Sequence, residues 1–181
     1  MRVEKDFKEF IVLLNLNKVK YLVVGGFAFA LYAKPRFTKD IDVFVEASEA
    51  NSKRIIKTLN EFGFGGIGLK EKDFQEHGQI IQLGHPPMRI DIITSASGIT
   101  FEEAWDNRNE GKYGDTACLF ISIDDLIKNK KASARAQDIA DVSALNTIYD
   151  TYISGVLGHD FLKKGKISVN IKKKEFHMKF Y

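Results

Sequence analysis

The stretch Tyr21–Val45, YLVVGGFAFALYAKPRFTKDIDVFV, decides how the rest of the chain is read. Its apolar run Tyr21-Leu22-Val23-Val24 has the length of a buried strand and stops at Gly25-Gly26. A short helical piece, Phe27 to Tyr32, follows. Then comes the basic loop Lys34-Pro35-Arg36-Phe37-Thr38-Lys39, in which Pro35 closes any helix before it. Asp40-Ile41-Asp42 opens a second strand that continues as Val43-Phe44-Val45. Residues two apart in a strand project from one face, so Asp40 and Asp42 direct both carboxylates to one side while Ile41 turns inward. Two like charges that close call for a cation between them, and hard oxygen ligands select Mg²⁺ or Mn²⁺. The glycine pair lets the backbone approach a ligand where a helix begins, at the end whose free N–H groups and dipole favour phosphate.

A third carboxylate lies further on, in Arg89-Ile90-Asp91-Ile92-Ile93. An acid in an otherwise apolar strand must face solvent, pair with a base or bind metal, because burying it unpaired costs several kcal/mol. Beside Asp40 and Asp42 the metal reading gains weight, since metal-assisted phosphoryl chemistry uses such a group near the attacking oxygen.

The flanking elements follow from periodicity and caps. Phe7, Phe10, Ile11, Leu13 and Leu14 predict an amphipathic helix over 4–16. Ser48 caps a helix running to Phe62, with Ile55, Ile56, Leu59 and Phe62 as its stripe and Gly63 as its stop. The glycine-rich run 63–68 follows a helix rather than a strand and reads as a connector. Ile80-Ile81-Gln82-Leu83 and residues 88–93 predict a hairpin turned at Gly84-His85-Pro86-Pro87. A short helix spans Thr100 to Trp105. Residues 112–121 are extended with a break at Gly114-Asp115, and Ser122 caps the next helix. One last helix is expected over 132–149, its stripe formed by Ile139, Val142, Leu145 and Ile148. This pattern predicts an α/β (α+β) domain over 1–150, a mixed sheet flanked by helices, with a lysine-rich extension over 151–181.

Composition bounds the rest. A chain of 181 residues, 44% apolar and 28% charged, is long enough for a real core. The net charge of +3 is carried largely by the tail, where Lys163, Lys164, Lys166, Lys172, Lys173, Lys174 and Lys179 face only Asp160 and Glu175. Charge therefore does not support a nucleic-acid groove across the whole domain. Cys118 is the sole cysteine, which excludes an internal disulfide, and no apolar run approaches a membrane span. With a charged N-terminus that lacks a signal-peptide core, a cytoplasmic protein without membrane contact is expected. His77, His85, His159 and His177 share no metal-ligand spacing.

Val24-Gly25-Gly26, thirteen residues, Asp40-Ile41-Asp42-Val43, and a later strand bearing Asp91 together resemble the nucleotidyltransferase superfamily that includes DNA polymerase β. Thr38-Lys39-Asp40-Ile41-Asp42 is similar to small bacterial members of it, the lincosamide-type antibiotic nucleotidyltransferases and the AbiEii-like toxins of toxin–antitoxin pairs. The resemblance covers residues 21–145. It implies a nucleoside triphosphate such as ATP, two Mg²⁺ (or Mn²⁺) ions held by Asp40, Asp42 and Asp91, and a triphosphate held by Gly25 and Gly26. Asp91 would also activate the acceptor hydroxyl, and pyrophosphate would leave. Arg36, Lys39 and Lys131 (or Lys128) are expected on phosphate oxygens. An Arg-x-x-Asp-x-x-Asp run common in similar families is matched by Arg135, Asp138 and Asp141, where an ion-pair role for the acids is favoured. The acceptor, whether small molecule, protein or RNA, is not written in the sequence, and a second copy or a partner protein is expected to complete so short a pocket. A silent nucleotide-binding or antitoxin-like relative of the same fold is the alternative. A D-x-D glycosyltransferase leaves Gly25-Gly26 unexplained.

Overall fold

In a computed structural model, residues 4–33, 38–85, 88–157, 165–170 and 175–180 are described. They divide into two compact units, Met1–Val142 and Ser143–Tyr181.

The first unit is built on the predicted strands. β1 (Tyr21–Val24) is buried along its whole length and lies at the centre of the sheet. A helix, α1 (Lys5–Leu16), precedes it and buries Phe7, Phe10, Ile11 and Leu14 of the expected stripe, with Leu13 half-buried. β1 runs straight into α2 (Gly25–Tyr32), and β2 (Asp40–Val45) returns antiparallel to it, with Val24 opposite Asp42. α3 (Glu49–Leu59) starts where Ser48 accepts a hydrogen bond from the Asn51 backbone N–H. It ends in one π turn, which closes at Gly63 with φ of +99°. The hairpin of β3 (Ile80–His85) and β4 (Met88–Ile93) forms as expected, although its Pro86-Pro87 corner lies outside the described residues. α4 (Phe101–Asp106) begins with a full capping box between Thr100 and Glu103. β5 (Asn109–Tyr113) and β6 (Thr116–Phe120) turn at Gly114 and resolve the expected extended segment into a hairpin.

The strand order is β3-β4-β2-β1-β6-β5. β2–β4 and β1–β6 are parallel and the other pairs antiparallel, so the sheet is mixed and flanked by helices, an α/β fold as predicted. Ile41, Val43 and Val45 on β2 and Ile90 and Ile92 on β4 are buried on one face, which leaves the opposite face at this end of the sheet to polar groups.

The two expected C-terminal helices form, but their junction lies later than 132: α5 (Ile123–Ser133), capped by Ser122, and α6 (Ala136–Leu157) are separated by Ala134 at φ of +53°. The physical reason is Lys130. Its ammonium donates to Asp138 Oδ1 at 2.9 Å and Asp141 Oδ2 at 2.7 Å, with all three side chains buried. Along a continuous helix, residues 130 and 138 would stand about 12 Å apart. Of the stripe expected along this last helix, Leu145 is fully buried whereas Ile139 is 63% exposed. In the second unit, β7 (Gly165–Asn170) and β8 (Glu175–Phe180) pair as an antiparallel hairpin within the lysine-rich extension. No helix among the described residues is long and apolar enough to cross a membrane.

Candidate active site

The acids meet because of strand register. Asp42 on β2 is paired with Asp91 on the neighbouring parallel β4, and Asp40 with Arg89, so all four side chains project from one face. Asp91 is buried, 6% exposed, while Asp40 and Asp42 are half-buried. The arrangement is set by two-residue periodicity within each strand and by one non-local pairing between them.

Protein donors are distributed unevenly over the three. Asp91 accepts from Arg89 twice, Nε to Oδ1 at 2.7 Å and Nη2 to Oδ2 at 2.9 Å, and from Gln82 Nε2 at 3.3 Å. Asp40 accepts from the same Nη2 at 2.7 Å and from Thr38 Oγ1 at 3.1 Å. Asp42 receives no hydrogen bond from the described residues. Burial, followed by the charges of Asp40 and Asp91, pushes its carboxyl up to about 6, with Arg135 and Arg89 offsetting part of the effect. An acid this disfavoured as an anion, among oxygen donors only, fits a divalent cation of the Mg²⁺ or Mn²⁺ kind. As it stands, no group of three His, Cys, Asp or Glu among the described residues is set to hold a metal ion. A guanidinium lies between two of the carboxylates.

The glycines prove necessary for a reason the sequence did not show. Gly25 sits at φ of +61°, and a methyl group there would collide with Asp42 Oδ2 and lie 2.8 Å from its Cγ. At Gly26 a methyl would lie 2.9 Å from Thr38 Oγ1. The pair thus seats the start of β2 against the start of α2, whose N-terminus carries no side-chain cap. Gly25→Ala combines a left-handed backbone with a steric clash. It should cost about 1–3 kcal/mol, read as a fall of several degrees in the melting temperature, about 2–4 °C per kcal/mol at this chain length. A melt within 1 °C of wild type would show that Asp42 is not seated against Gly25.

The expected phosphate contacts are scattered. Arg36 lies outside the described residues. Lys39 is exposed immediately before β2, and Lys131 is exposed in the last turn of α5. Lys128 bridges to buried Asp125 at 2.9 Å. The lysine turned inward is Lys130, which sequence reasoning passed over in favour of its neighbours. Arg135 donates to Asp138 at 2.6 Å and is near enough to Asp42 for each to shift the other, so the Arg-x-x-Asp-x-x-Asp run borders the acids. Asp138 and Asp141 are ion-paired, as favoured. Arg89, Thr38 and Gln82 were not assigned from sequence. The spacing of Arg89 two before Asp91 was the available signal for the first.

A mixed sheet that brings a Gly-Gly turn and three carboxylates to one end defines a nucleotidyltransferase fold. The sequence model of the family described as "Nucleotidyltransferase of unknown function (DUF6036)" matches residues 1–175, and the chain belongs to that family. Among solved structures, lincosamide antibiotic adenylyltransferase LnuA in its lincomycin-bound form is similar at a TM-score of 0.51 and 17% identity, covering 80% of this chain and 97% of that one. The antibiotic-resistance factor ANT(2'')-Ia is similar at 0.55 and 13% identity, covering 87% and 90%. At these identities the likeness is one of fold. No curated protein sequence matches the chain.

Proposed function

We propose that this protein is a metal-dependent nucleotidyltransferase that moves a nucleoside monophosphate from a nucleoside triphosphate to a hydroxyl acceptor, with pyrophosphate leaving. The observation that carries the reading is the register of Asp42 with Asp91, with Asp40 two residues away on the same face. Asp40, Asp42 and Asp91 would hold the divalent cations, which when bound supply charge neutralisation at the α-phosphate and a lowered pKa for the attacking hydroxyl. Asp91, buried in register with Asp42, would accept the acceptor's proton. The uncapped N-terminus of α2 at Gly25 and Gly26 favours the triphosphate, and Arg135 adds positive charge beside Asp42. Lys39, Lys131 and Arg36 are the further phosphate contacts we assign.

For the acceptor we favour a small molecule bearing a hydroxyl; of the proteins of similar fold, LnuA is named as a lincosamide antibiotic adenylyltransferase and ANT(2'')-Ia as an antibiotic-resistance factor. Protein and RNA acceptors are separate arms of the same test. Incubation of the purified protein with each labelled triphosphate and Mg²⁺, against aminoglycoside, lincosamide, protein and RNA pools, should release pyrophosphate with one triphosphate and one pool, and EDTA should stop it. Triphosphate binding without turnover in any arm would instead favour the silent binding protein.

A further inference from the structure

Arg89 is the feature that the proposed chemistry does not account for. Its Nη2 stands 2.7 Å from Asp40 Oδ2 and 2.9 Å from Asp91 Oδ2, while its Nε stands 2.7 Å from Asp91 Oδ1. One permanently charged planar group thus spans carboxylates from two strands, a fork geometry that lysine lacks. Asp42, the third acid of the face, takes no part in this clamp. The backbone pairing of Asp40 with Arg89 across β2 and β4 brings the guanidinium to both acids.

The oxygens that Arg89 occupies are among those a divalent cation would need. A cation bound to Asp40 and Asp91 would stand within a few ångström of the guanidinium, where the two positive groups repel. The guanidinium and the metal therefore compete. Arg89 also has room to withdraw, since its side chain is 28% exposed.

We propose that Arg89 is an exchangeable counter-cation of the acid cluster, holding Asp40 and Asp91 in register while the site lacks metal and releasing their oxygens when a divalent cation binds. Arg89 is in this sense a positioning residue, and the inference rests on the metal-dependent reading above. It makes metal affinity a property tuned by an internal ion pair: the wild type holds metal more weakly than its three acids alone would.

The test is Mn²⁺ titration of the full chain without nucleotide, followed by the electron paramagnetic resonance of free Mn²⁺, with melting temperatures recorded in parallel. Arg89→Gln should bind Mn²⁺ about tenfold tighter than wild type, equivalent to about 1.4 kcal/mol of relieved competition. Without metal it should melt below wild type, and Mn²⁺ should raise its melting temperature by more. Arg89→Lys, which keeps the charge and loses the fork, should fall between the two and serves if Arg89→Gln does not fold without metal. Equal or weaker Mn²⁺ binding by the variants, with binding still abolished by Asp42→Asn, overturns the role of Arg89 and leaves the metal site standing. Absence of Mn²⁺ binding in wild type and variants alike overturns both.

Discussion

Asp42→Asn should lose nucleotidyl transfer by a factor on the order of 10³ or more and yet, without metal at pH 7, melt at a higher temperature than the wild type. The activity loss follows from removing a charged ligand where transition-state charge must be neutralised, and losses of at least 10²–10³ accompany even one lost neutral donor in such sites. The gain in stability follows from the direction in which the carboxyl's pKa moves. Burial, with Asp40 and Asp91, raises Asp42 from its ordinary 3.8 to about 6 in the folded chain. Below about pH 4 the group is protonated whether folded or unfolded and contributes nothing. As pH rises through 6, the folded chain must carry an unwelcome anion that the unfolded chain carries freely, so the wild type loses stability across that window. A neutral amide escapes the loss. The variant should therefore exceed the wild type by up to about 3 kcal/mol above pH 6, because each tenfold change in proton affinity is worth roughly 1.4 kcal/mol, with the difference vanishing below pH 4. Saturating Mg²⁺ should reverse the order by stabilising only the wild type. A variant that melts below wild type at pH 7 without metal would show that Asp42 is not electrostatically strained. One that retains activity would remove it from the chemistry.

The parts of this site that were legible in the sequence are the local ones. Asp40 and Asp42 share a face because strand side chains alternate, and Gly25-Gly26 punctuates an apolar run at a strand-to-helix turn. Asp91 could be nominated as a misfit in an apolar strand, but its partner on β2, Asp42, is fixed only by the parallel pairing of β2 with β4, far along the chain. The same pairing carries Arg89 to Asp40, which no spacing within either strand announces. Gly25 illustrates a second kind of blindness. Its role toward a ligand could be read from residue type, whereas its role in seating the Asp42 carboxylate depends on two backbones meeting. The α5–α6 junction, expected near Ala132, falls at Ala134 because that strong helix former takes the left-handed conformation without a glycine to signal it. Tertiary ion pairing overrides local propensity there, and the lysine it buries is Lys130, one residue before the Lys131 nominated for phosphate.

That one-residue offset gives the second large effect. Lys130→Met should destabilise the protein by about 3–5 kcal/mol, whereas Lys131→Met should change stability by no more than about 0.5 kcal/mol. Lys130 is 3% exposed and its ammonium is shared by Asp138 and Asp141, themselves 1% and 2% exposed, whereas Lys131 lies on the surface one residue on. Removing the ammonium leaves two buried carboxylates to Arg135 and Gln137, which reach Asp138 at 2.6 Å and Asp141 at 3.0 Å but sit toward the exposed side. The loss should appear as a fall of about 6–20 °C in the melting temperature. It should also grow above the ordinary carboxylate range and shrink in acid. Although burial alone would raise Asp138, the Arg135 and Lys130 hydrogen bonds hold it below its ordinary value. Its contribution is therefore present above that value and disappears as pH falls through the lowered one. Because Lys130 also lies 6.0 Å from the centre of the Phe29 ring on α2, the helix that opens at Gly25, its loss should reach the proposed nucleotide site as well. We expect weaker triphosphate binding in Lys130→Met at temperatures where the variant is still folded, measured by calorimetry. If instead Lys130→Met melts like wild type, the ion cluster at the α5–α6 junction is not what shapes this end of the molecule.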